Sequence, residues 1–224
     1  MAKKVKLRAA DGHELDAFRS DPKGTPRGGL VALQEIFGLT HHMDRLCDSF
    51  AEAGYAVCAP ALFDRVERNV ALGYVGDDYQ KARDLRARLN DASILADCKA
   101  AVDSLKPHGK VGAIGYCFGG LVAWHCATGL DGLACAISLY GGGIAAIADR
   151  KPRCPVQFHF GDRDRSIPLA DVHKIRTAHP DLPSYVYDDA PHGFCTDDRE
   201  GAFRAAACQR ATGRALDFMR QHVG

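Results

Sequence analysis

The sequence predicts an α/β fold in which a mostly parallel sheet is flanked by helices on both faces. Two observations predict it. First, short apolar runs, each long enough for one strand, alternate along the chain with longer segments of helical spacing. Second, several of these runs are apolar at nearly every position, as expected for strands that are covered on both faces. A length of 224 residues suits one three-layer domain, and we expect a single domain over residues 1–224.

Eight runs predict strands. The first two flank Asp11-Gly12, which is typical of a short antiparallel hairpin placed before the main sheet. The other six are short and apolar, and most of them are followed by Gly, Pro, Asp or Glu. In chain order, the predicted strands are 5–8, 14–19, 28–34, 55–59, 111–116, 133–139, 156–160 and 185–187.

Six segments predict helices. Thr40 can cap the first, which carries Met43, Leu46 and Phe50 on one side. The second and third are rich in Arg and Lys, which predicts solvated faces. The stretch 61–77 that precedes them is irregular. The predicted helices are 40–53, 78–89, 93–105, one that begins at 118, 169–178, and one from about 200 to the C-terminus.

The composition argues against several classes of protein. Because 29 basic and 28 acidic residues give a net charge of +1, we expect neither a nucleic acid nor a membrane as partner. The basic N-terminus lacks the apolar stretch of a secretory signal, and no run is long enough to span a bilayer. Nine cysteines at irregular spacing, without C-x-x-C, favour mostly buried, reduced thiols in the cytoplasm over a disulfide scaffold or a metal site.

One predicted strand-to-helix junction carries the clearest chemical signal. Within residues 110–121, Gly115 and Gly119 flank Cys117 in a G-x-C-x-G pattern. This is the nucleophile elbow of the α/β-hydrolases, with a thiol in place of the usual hydroxyl. A side chain at either glycine would collide with the neighbouring strand or helix. A helix N-terminus favours a thiolate, and we expect the Phe118 N–H to point at a developing oxyanion.

Two further residues follow predicted strands in the order of that fold, which is nucleophile, acid, base. Asp164 comes after the strand 156–160, and His192 comes after the strand 185–187. In such a triad the imidazole takes the proton of the nucleophile, and the carboxylate orients the imidazole. Asp162 is the competing acid, and Asp164 is preferred because it lies further past the strand end.

Glu35 is a fourth candidate, because this carboxylate ends a mostly apolar strand at the same sheet edge as Cys117. It either influences protonation of the thiol or pairs with an arginine as an ordinary strand-end residue. The Ile36 N–H is the expected second oxyanion donor. Five other histidines lie in or beside predicted helices without a partner signal and are expected to be structural: His41, His42, His125, His173 and His179.

The chain resembles the dienelactone hydrolase family. The resemblance covers nearly the whole chain in the family's order and rests on Gln34-Glu35-Ile36-Phe37-Gly38, Ala59-Pro60-Ala61-Leu62-Phe63 with Arg65, Gly115-Tyr116-Cys117-Phe118-Gly119-Gly120, Leu139-Tyr140-Gly141, Gly161 to Asp164, and His192-Gly193-Phe194. It implies an α/β-hydrolase fold without a large cap, and neither cofactor nor metal. It also implies a Cys117–His192–Asp164 triad in which Glu35 helps to generate the thiolate when substrate binds.

The implied reaction is the opening of an enol-lactone, such as 4-carboxymethylenebut-2-en-4-olide in chlorocatechol-type aromatic degradation, through an acyl-thioester. The expected partner is therefore a small lactone or ester, and the expected assembly is a monomer or a small homo-oligomer. Arg65 and Tyr140 are candidate substrate contacts. For Arg65 the alternative is that it only tethers the irregular loop.

One position departs from the family. Its best-known members have an arginine four residues after the triad histidine, which holds the glutamate and the substrate carboxylate. This chain has Thr196 there, and Arg199 is the nearest substitute. An esterase or thioesterase of the same fold, acting on another activated ester, is therefore a second interpretation. A third is a non-catalytic ligand-binding or redox-sensing domain with an oxidisable Cys117, although such a domain would not need Asp164 and His192 at strand ends.

Overall fold

The computed structural model describes residues 2–224, so only residue 1 of the expected domain lies outside it. Eight strands form one sheet in the order β1-β2-β4-β3-β5-β6-β7-β8. The β1–β2 and β2–β4 pairs are antiparallel and the other five are parallel, which confirms the mostly parallel sheet. The strands are Lys3–Arg8 (β1), Glu14–Ser20 (β2), Gly29–Leu33 (β3), Ala56–Pro60 (β4), Val111–Tyr116 (β5), Leu133–Leu139 (β6), Val156–Gly161 (β7) and Ser184–Tyr187 (β8).

Six α-helices connect or follow these strands, and most begin and end within two residues of the predicted bounds. The last one begins later than expected, because residues 197–204 form turns, with Gly201 at φ 75°. The helices are His41–Glu52 (α1), Gly76–Ala87 (α2), Asp91–Leu105 (α3), Phe118–Gly129 (α4), Leu169–Ala178 (α5) and Ala205–His222 (α6).

The central strands are covered on both faces, as their nearly continuous apolar sequences predict. In β3, Leu30 and Ala32 join the core that includes α1 and α6. The alternate residues Val31 and Leu33 join the core that includes α3. Successive side chains of a strand point to opposite faces, so helices cover both faces of the sheet.

The carboxyl ends of β3, β5, β7 and β8 lie at one edge of the sheet, because these strands run parallel. Two long connections also lie in this part of the fold, at residues 61–75 and 188–204. They contain one short 3-10 helix, Leu62–Arg65, and otherwise turns and irregular backbone. Within residues 2–224 no separate cap domain covers the edge, as expected.

The cysteines match the expectation of mostly buried, free thiols, with one exception. A disulfide joins Cys195, in the connection after β8, to Cys208 in the first turn of α6. The pair forms because the turns at 197–204 fold the chain back on itself, a path that cysteine spacing alone does not reveal. The other seven cysteines are free, and five of them are buried. No helix within residues 2–224 is both long enough and apolar enough to cross a membrane.

Candidate active site

Cys117 occupies the sharp turn between β5 and α4. Its φ of 54° lies in the left-handed region, which side chains other than glycine rarely adopt, so the turn is strained. Its N–H donates to Leu139 O at 3.0 Å, which ties the turn to β6. A Cβ at Gly115 would lie 1.9 Å from Gly119 O, and one at Gly119 would lie 2.1 Å from Leu33 O. The collisions predicted for both glycines are therefore confirmed.

His192 and Asp164 form a hydrogen-bonded pair next to this turn. His192 Nδ1 lies 2.7 Å from Asp164 Oδ2, and the Asp164 carboxylate is buried. The other oxygen, Oδ1, accepts the N–H groups of Ser166 at 2.8 Å and Ile167 at 3.1 Å. Because a carboxylate only accepts, Nδ1 carries the proton and Nε2 is left for proton transfer. Asp162 instead accepts the Ala190 N–H at 3.2 Å. Of the two candidate acids, Asp164 is therefore the one that binds the imidazole.

The surroundings of His192 favour its charged form. Burial lowers its pKa, but the negative charge of Cys117 and the hydrogen bond and charge of Asp164 outweigh burial and raise the pKa to about 10. An imidazolium is thus favoured whenever the thiol is ionised. A thiolate–imidazolium pair is the arrangement in which a cysteine becomes an effective nucleophile.

The thiol and the imidazole face one cavity of about 260 Å³. Ile36 and Phe118 also form part of its wall. Neither of their backbone N–H groups donates a hydrogen bond to another group in the described chain. Two N–H groups that have no partner in residues 2–224 and lie at the wall of one cavity form the type of site that stabilises an oxyanion. The structure therefore brings together the two donors expected from the sequence.

Two arginines complete the cavity wall, and neither pairs with a carboxylate of residues 2–224. Arg86, from α2, lies with its guanidinium carbon 4.5 Å from the centre of the Phe118 ring. Arg199 packs against Gly193, where a Cβ would lie 2.9 Å from its Nη1. Sequence reasoning left Arg199 unplaced. It missed Arg86 because nothing in the sequence separates Arg86 from Arg83, an exposed arginine of the same helix.

Glu35 lies behind this wall and is only 3% exposed. Its carboxylate accepts one hydrogen bond within residues 2–224, from Thr196 Oγ1 at 3.0 Å. Burial raises the pKa of the carboxyl, against the opposing effects of His42, Thr196, His192 and Arg199. A buried carboxylate with a single neutral donor depends on nearby positive charge for its ionisation.

Tyr140 lies under His192 and not in the cavity wall. It is fully buried, and its ring meets the imidazole edge-on with 5.3 Å between the ring centres. Its hydroxyl lies 3.5 Å from Thr196 Oγ1. The structure therefore gives Tyr140 a supporting contact with His192 in place of the expected substrate contact.

Arg65 is not brought to the cavity either. Its guanidinium binds both carboxylate oxygens of the buried Asp97, at 2.7 and 2.8 Å, and both oxygens of Asp11, at 2.7 and 3.2 Å. These four hydrogen bonds use four of the five N–H donors of the side chain. They match the alternative in which Arg65 tethers the irregular loop.

Comparison with known proteins agrees with this architecture. The model of the dienelactone hydrolase family matches residues 15–223. A carboxymethylenebutenolidase from Pseudomonas putida is 28% identical over 225 residues, which cover 96% of this chain and 94% of that protein. A protein from Synechocystis sp., provisionally given the same name, is 31% identical over 76% of each chain.

Solved structures agree as well. A protein from Klebsiella pneumoniae, provisionally named a dienelactone hydrolase, superposes with a TM-score of 0.88 at 25% identity, over 99% of this chain and 98% of that one. The family match covers nearly the whole chain and includes the turn at Cys117 and the His192–Asp164 pair. The chain belongs to the dienelactone hydrolase family and is a carboxylic ester hydrolase.

Proposed function

We propose that this protein uses Cys117 as a nucleophile to open an enol-lactone of the carboxymethylenebutenolide type through an acyl-thioester. One observation carries the proposal. The thiol shares a cavity with the Asp164-bound imidazole of His192 and with two backbone N–H groups that have no partner in residues 2–224. Membership of the family, and the name of the Pseudomonas putida relative, point to the same substrate class.

In the first half-reaction, His192 takes the proton of Cys117, and the thiolate attacks the lactone carbonyl carbon. The oxygen of the tetrahedral intermediate becomes negative and receives the N–H groups of Ile36 and Phe118. Collapse of the intermediate breaks the ring C–O bond and leaves an acyl-thioester. The departing enolate takes the proton from the His192 imidazolium.

In the second half-reaction, water attacks the thioester carbon while His192 accepts one of the water protons. The C–S bond then breaks, and the imidazolium returns this proton to the sulfur. The product carries a new carboxylate, and its enol tautomerises to a ketone. Asp164 keeps the imidazole in one tautomer throughout, through the 2.7 Å hydrogen bond to Nδ1.

Glu35 has a role in generating the thiolate within this proposal. Its carboxylate is bound to Thr196, with no hydrogen bond to Cys117 among the described residues. Substrate binding therefore has to shift the carboxylate towards the thiol before it assists ionisation. A carboxyl whose pKa is raised by burial is a better proton acceptor than an exposed one, so in this role Glu35 takes the thiol proton first and passes it to His192.

The choice of a thiol favours substrates with good leaving groups. A thiolate attacks readily but is also expelled readily, so an amide intermediate would return to the starting state. An enolate leaves more easily than an amine, and the reaction then proceeds to the thioester. Arg86 and Arg199, two arginines of the wall that pair with no carboxylate of residues 2–224, favour a substrate that also carries a carboxylate.

The test compares two substrates, 4-carboxymethylenebut-2-en-4-olide and an aryl acetate, with the wild-type chain and with Cys117→Ala. Cys154→Ala is the matched control, because Cys154 is also free and half-buried but does not line the cavity. We expect wild-type and Cys154→Ala proteins to open the lactone, and Cys117→Ala to lose the activity while remaining folded by circular dichroism.

The other outcomes separate the competing functions. Turnover of the aryl acetate alone, dependent on Cys117, would keep the nucleophile and assign the protein to another activated ester. Lactone turnover that survives in Cys117→Ala would overturn the proposed mechanism. Failure on both substrates, combined with reversible oxidation of Cys117, would favour the thiol sensor.

A further inference from the structure

The disulfide between Cys195 and Cys208 joins the connection after β8 to α6. Cys195 is 4% exposed and belongs to the same apolar core as Phe194. Cys208 lies in the first turn of α6 and is half-buried, so it is the more exposed of the two residues. The proposed mechanism does not use this pair. Its place in the chain nevertheless matters for the mechanism, because the residues on either side of Cys195 belong to the active site.

Cys195 lies inside a turn whose two ends reach the active site. The Thr196 N–H donates to Gly193 O at 2.9 Å and closes this turn. His192 immediately precedes the turn, and the Thr196 hydroxyl donates to Glu35 at 3.0 Å. A displacement of Cys195 therefore changes the position of the proposed general base and of the residue that holds Glu35.

The aromatic side chain before Cys195 connects the same turn to His192 a second time. The Phe194 ring meets the Tyr140 ring edge-on, with 5.1 Å between the ring centres. Tyr140 in turn meets the imidazole of His192, with 5.3 Å between the ring centres. Phe194 and Tyr140 are fully buried, and in a close-packed interior one ring moves only if its neighbours move. The path of the backbone at Cys195 therefore acts on the imidazole through packing as well as through the chain.

Side-chain contacts fasten the residues after this turn to α1. Asp197 binds His42 and Arg45, and Asp198 binds Arg45. The side chains of Arg45, Asp197 and Asp198 are 36–47% exposed, and ion pairs at such positions contribute little to stability. Towards α6 the link is covalent, through the disulfide. Reduction breaks this link without changing any residue.

We propose that the Cys195–Cys208 disulfide is a redox-dependent positioning element of the active site. With the bond formed, the turn at 193–196 keeps His192 next to Cys117 and keeps Thr196 on Glu35. With the bond reduced, the turn loosens and turnover falls. The inference rests on the proposed function for its catalytic meaning. Cys195 and Cys208 are positioning residues in this role, since they act through their neighbours in the chain.

The reductant is a dithiol, or two molecules of a thiol such as glutathione. Its thiolate attacks the sulfur of Cys208, the S–S bond breaks, and Cys195 leaves as a thiolate that takes up a proton. The second thiol of the reductant then attacks the mixed disulfide and releases Cys208. The protein gains two S–H groups, and the reductant is oxidised to its own disulfide. An oxidised thiol couple reverses both steps.

The first experiment measures the segment itself and needs no substrate. Amide hydrogen–deuterium exchange of residues 193–204 is compared in the wild type before and after reduction with dithiothreitol. We expect exchange in this segment to become about tenfold faster on reduction, while exchange in β5 stays unchanged. Cys208→Ala should show the faster exchange in both conditions. Equal exchange in the oxidised and reduced wild type would overturn the inference.

The second experiment measures turnover of the lactone and of an aryl acetate over a series of ratios of oxidised to reduced glutathione. We expect kcat to fall by about tenfold in the reduced protein, because a small displacement of the base acts on the chemical step. The midpoint of this fall should coincide with the midpoint at which Cys195 and Cys208 become open to alkylation, followed by mass spectrometry. Reduction that lowers the free energy of unfolding but leaves kcat unchanged would mean a purely structural disulfide and overturn the inference.

Two variants separate the disulfide from the other thiols. Cys208→Ala cannot form the bond, so its kcat should equal that of the reduced wild type over the whole glutathione series. Circular dichroism checks that this variant is folded, which its half-buried position favours. Cys154→Ala removes a free, half-buried thiol and should follow the wild-type curve. A dependence on glutathione that persists in Cys208→Ala would come from another thiol, such as Cys117, and would overturn the inference.

The two experiments also separate this inference from the proposed function. Absence of Cys117-dependent turnover, with exchange of residues 193–204 still dependent on reduction, would contradict the proposed function alone. Cys117-dependent turnover that is the same in the oxidised and reduced protein would contradict the role of the disulfide alone.

Discussion

Thr196 Oγ1 lies 3.0 Å from Glu35 Oε1 and joins the connection after β8 to the connection after β3. The two residues are 161 positions apart in the chain and meet because their strands end at the same edge of a parallel sheet. The hydroxyl can donate one proton but brings no charge. This bond therefore positions the carboxylate, while its ionisation depends on the cations around it.

The first prediction concerns the removal of this hydrogen bond. Thr196→Val keeps the volume of the side chain and removes the donor, so the buried carboxylate loses the hydrogen bond from residue 196. We expect the free energy of unfolding at pH 8 to fall by about 1.5–3 kcal/mol, the usual range for a bond to a charged group. Thr196→Ser keeps the hydroxyl, so its free energy of unfolding should fall much less. Urea unfolding of the wild type and the two variants measures both changes.

This loss should depend on pH with a definite sign. Burial raises the pKa of Glu35 in the folded chain above its ordinary value of 4.5, so from 4.5 upward the folded state binds the proton more tightly than the unfolded state. The contribution of Glu35 to stability therefore falls as pH rises through this window. Thr196→Val raises the folded-state pKa of Glu35 further, so this pH window becomes wider. The difference in free energy of unfolding between Thr196→Val and the wild type should therefore be larger at pH 8 than at pH 5. A constant difference would show that Glu35 does not change its protonation state between pH 5 and pH 8.

The second prediction concerns the charge on His192. Cys117 contributes the largest of the effects that raise its pKa to about 10, in opposition to burial. Cys117→Ala and Cys117→Ser should therefore both lower the pKa of His192 by more than one unit, because neither carries a negative charge. NMR titration of the imidazole nitrogens measures this. A pKa near 10 in both variants would mean that Asp164 alone sustains the imidazolium.

That Cys117, Asp164 and His192 meet at one edge of the sheet could be predicted from the sequence, because the signals are local. Each of Cys117, Asp164 and His192 follows an apolar strand, and parallel strands bring their carboxyl ends together. The glycines around Cys117 add a steric signal that has one explanation, close approach of backbones.

The surroundings of the site were harder to predict, because they depend on loop paths. Arg65 follows a strand end just as the candidate catalytic residues do. Its guanidinium nevertheless donates hydrogen bonds to Asp97, on α3, and does not reach the cavity. Arg86 and His42 lie on helices whose rotation turns some polar residues towards the protein while others face solvent. Periodicity gives the face of a helix but not the distant partner that a side chain meets.

The third prediction tests the one cysteine pair that the sequence did not indicate. Cys195 and Cys208 form a disulfide 13 residues apart, and the remaining seven cysteines are free. Titration of the denatured protein with a thiol reagent should therefore give about seven thiols without reductant and about nine after reduction. Cys208→Ala should give eight thiols in both conditions. Nine thiols in the unreduced wild type would show that the pair is not bonded.

The fourth prediction uses two glycines that differ in the space around them. A Cβ at Gly119 would lie 2.1 Å from Leu33 O, so Gly119→Ala forces α4 away from β3 and should destabilise the protein by about 3 kcal/mol or more. Gly213, inside α6, has no atom within 4 Å of its Cβ position. Gly213→Ala should stabilise the protein by about 0.5–1 kcal/mol. Chemical denaturation measures the change in free energy of unfolding for both variants. Equal changes in Gly119→Ala and Gly213→Ala would contradict the tight packing of the turn at Cys117.

The last prediction concerns the substrate carboxylate. Arg199 lines the cavity beside His192 and has no carboxylate partner in residues 2–224, so an anionic substrate gains a charge-assisted contact there. We expect Arg199→Gln to lower kcat/KM for the carboxylate-bearing lactone by about 10- to 100-fold, the equivalent of about 1.4–2.7 kcal/mol, mainly through KM. The neutral aryl acetate should be turned over at nearly the wild-type rate.

The comparison of the two substrates decides what Arg199 does. Arg83→Gln is the control for net charge, because Arg83 is an exposed arginine of α2 that does not line the cavity. It should leave both substrates unaffected at moderate ionic strength, where distant surface charges are screened. An equal loss on both substrates in Arg199→Gln would instead indicate damage to the loop around Gly193, against which the arginine packs. Only a loss confined to the lactone supports an anion-binding role, because that contact exists only when the substrate carries a negative charge.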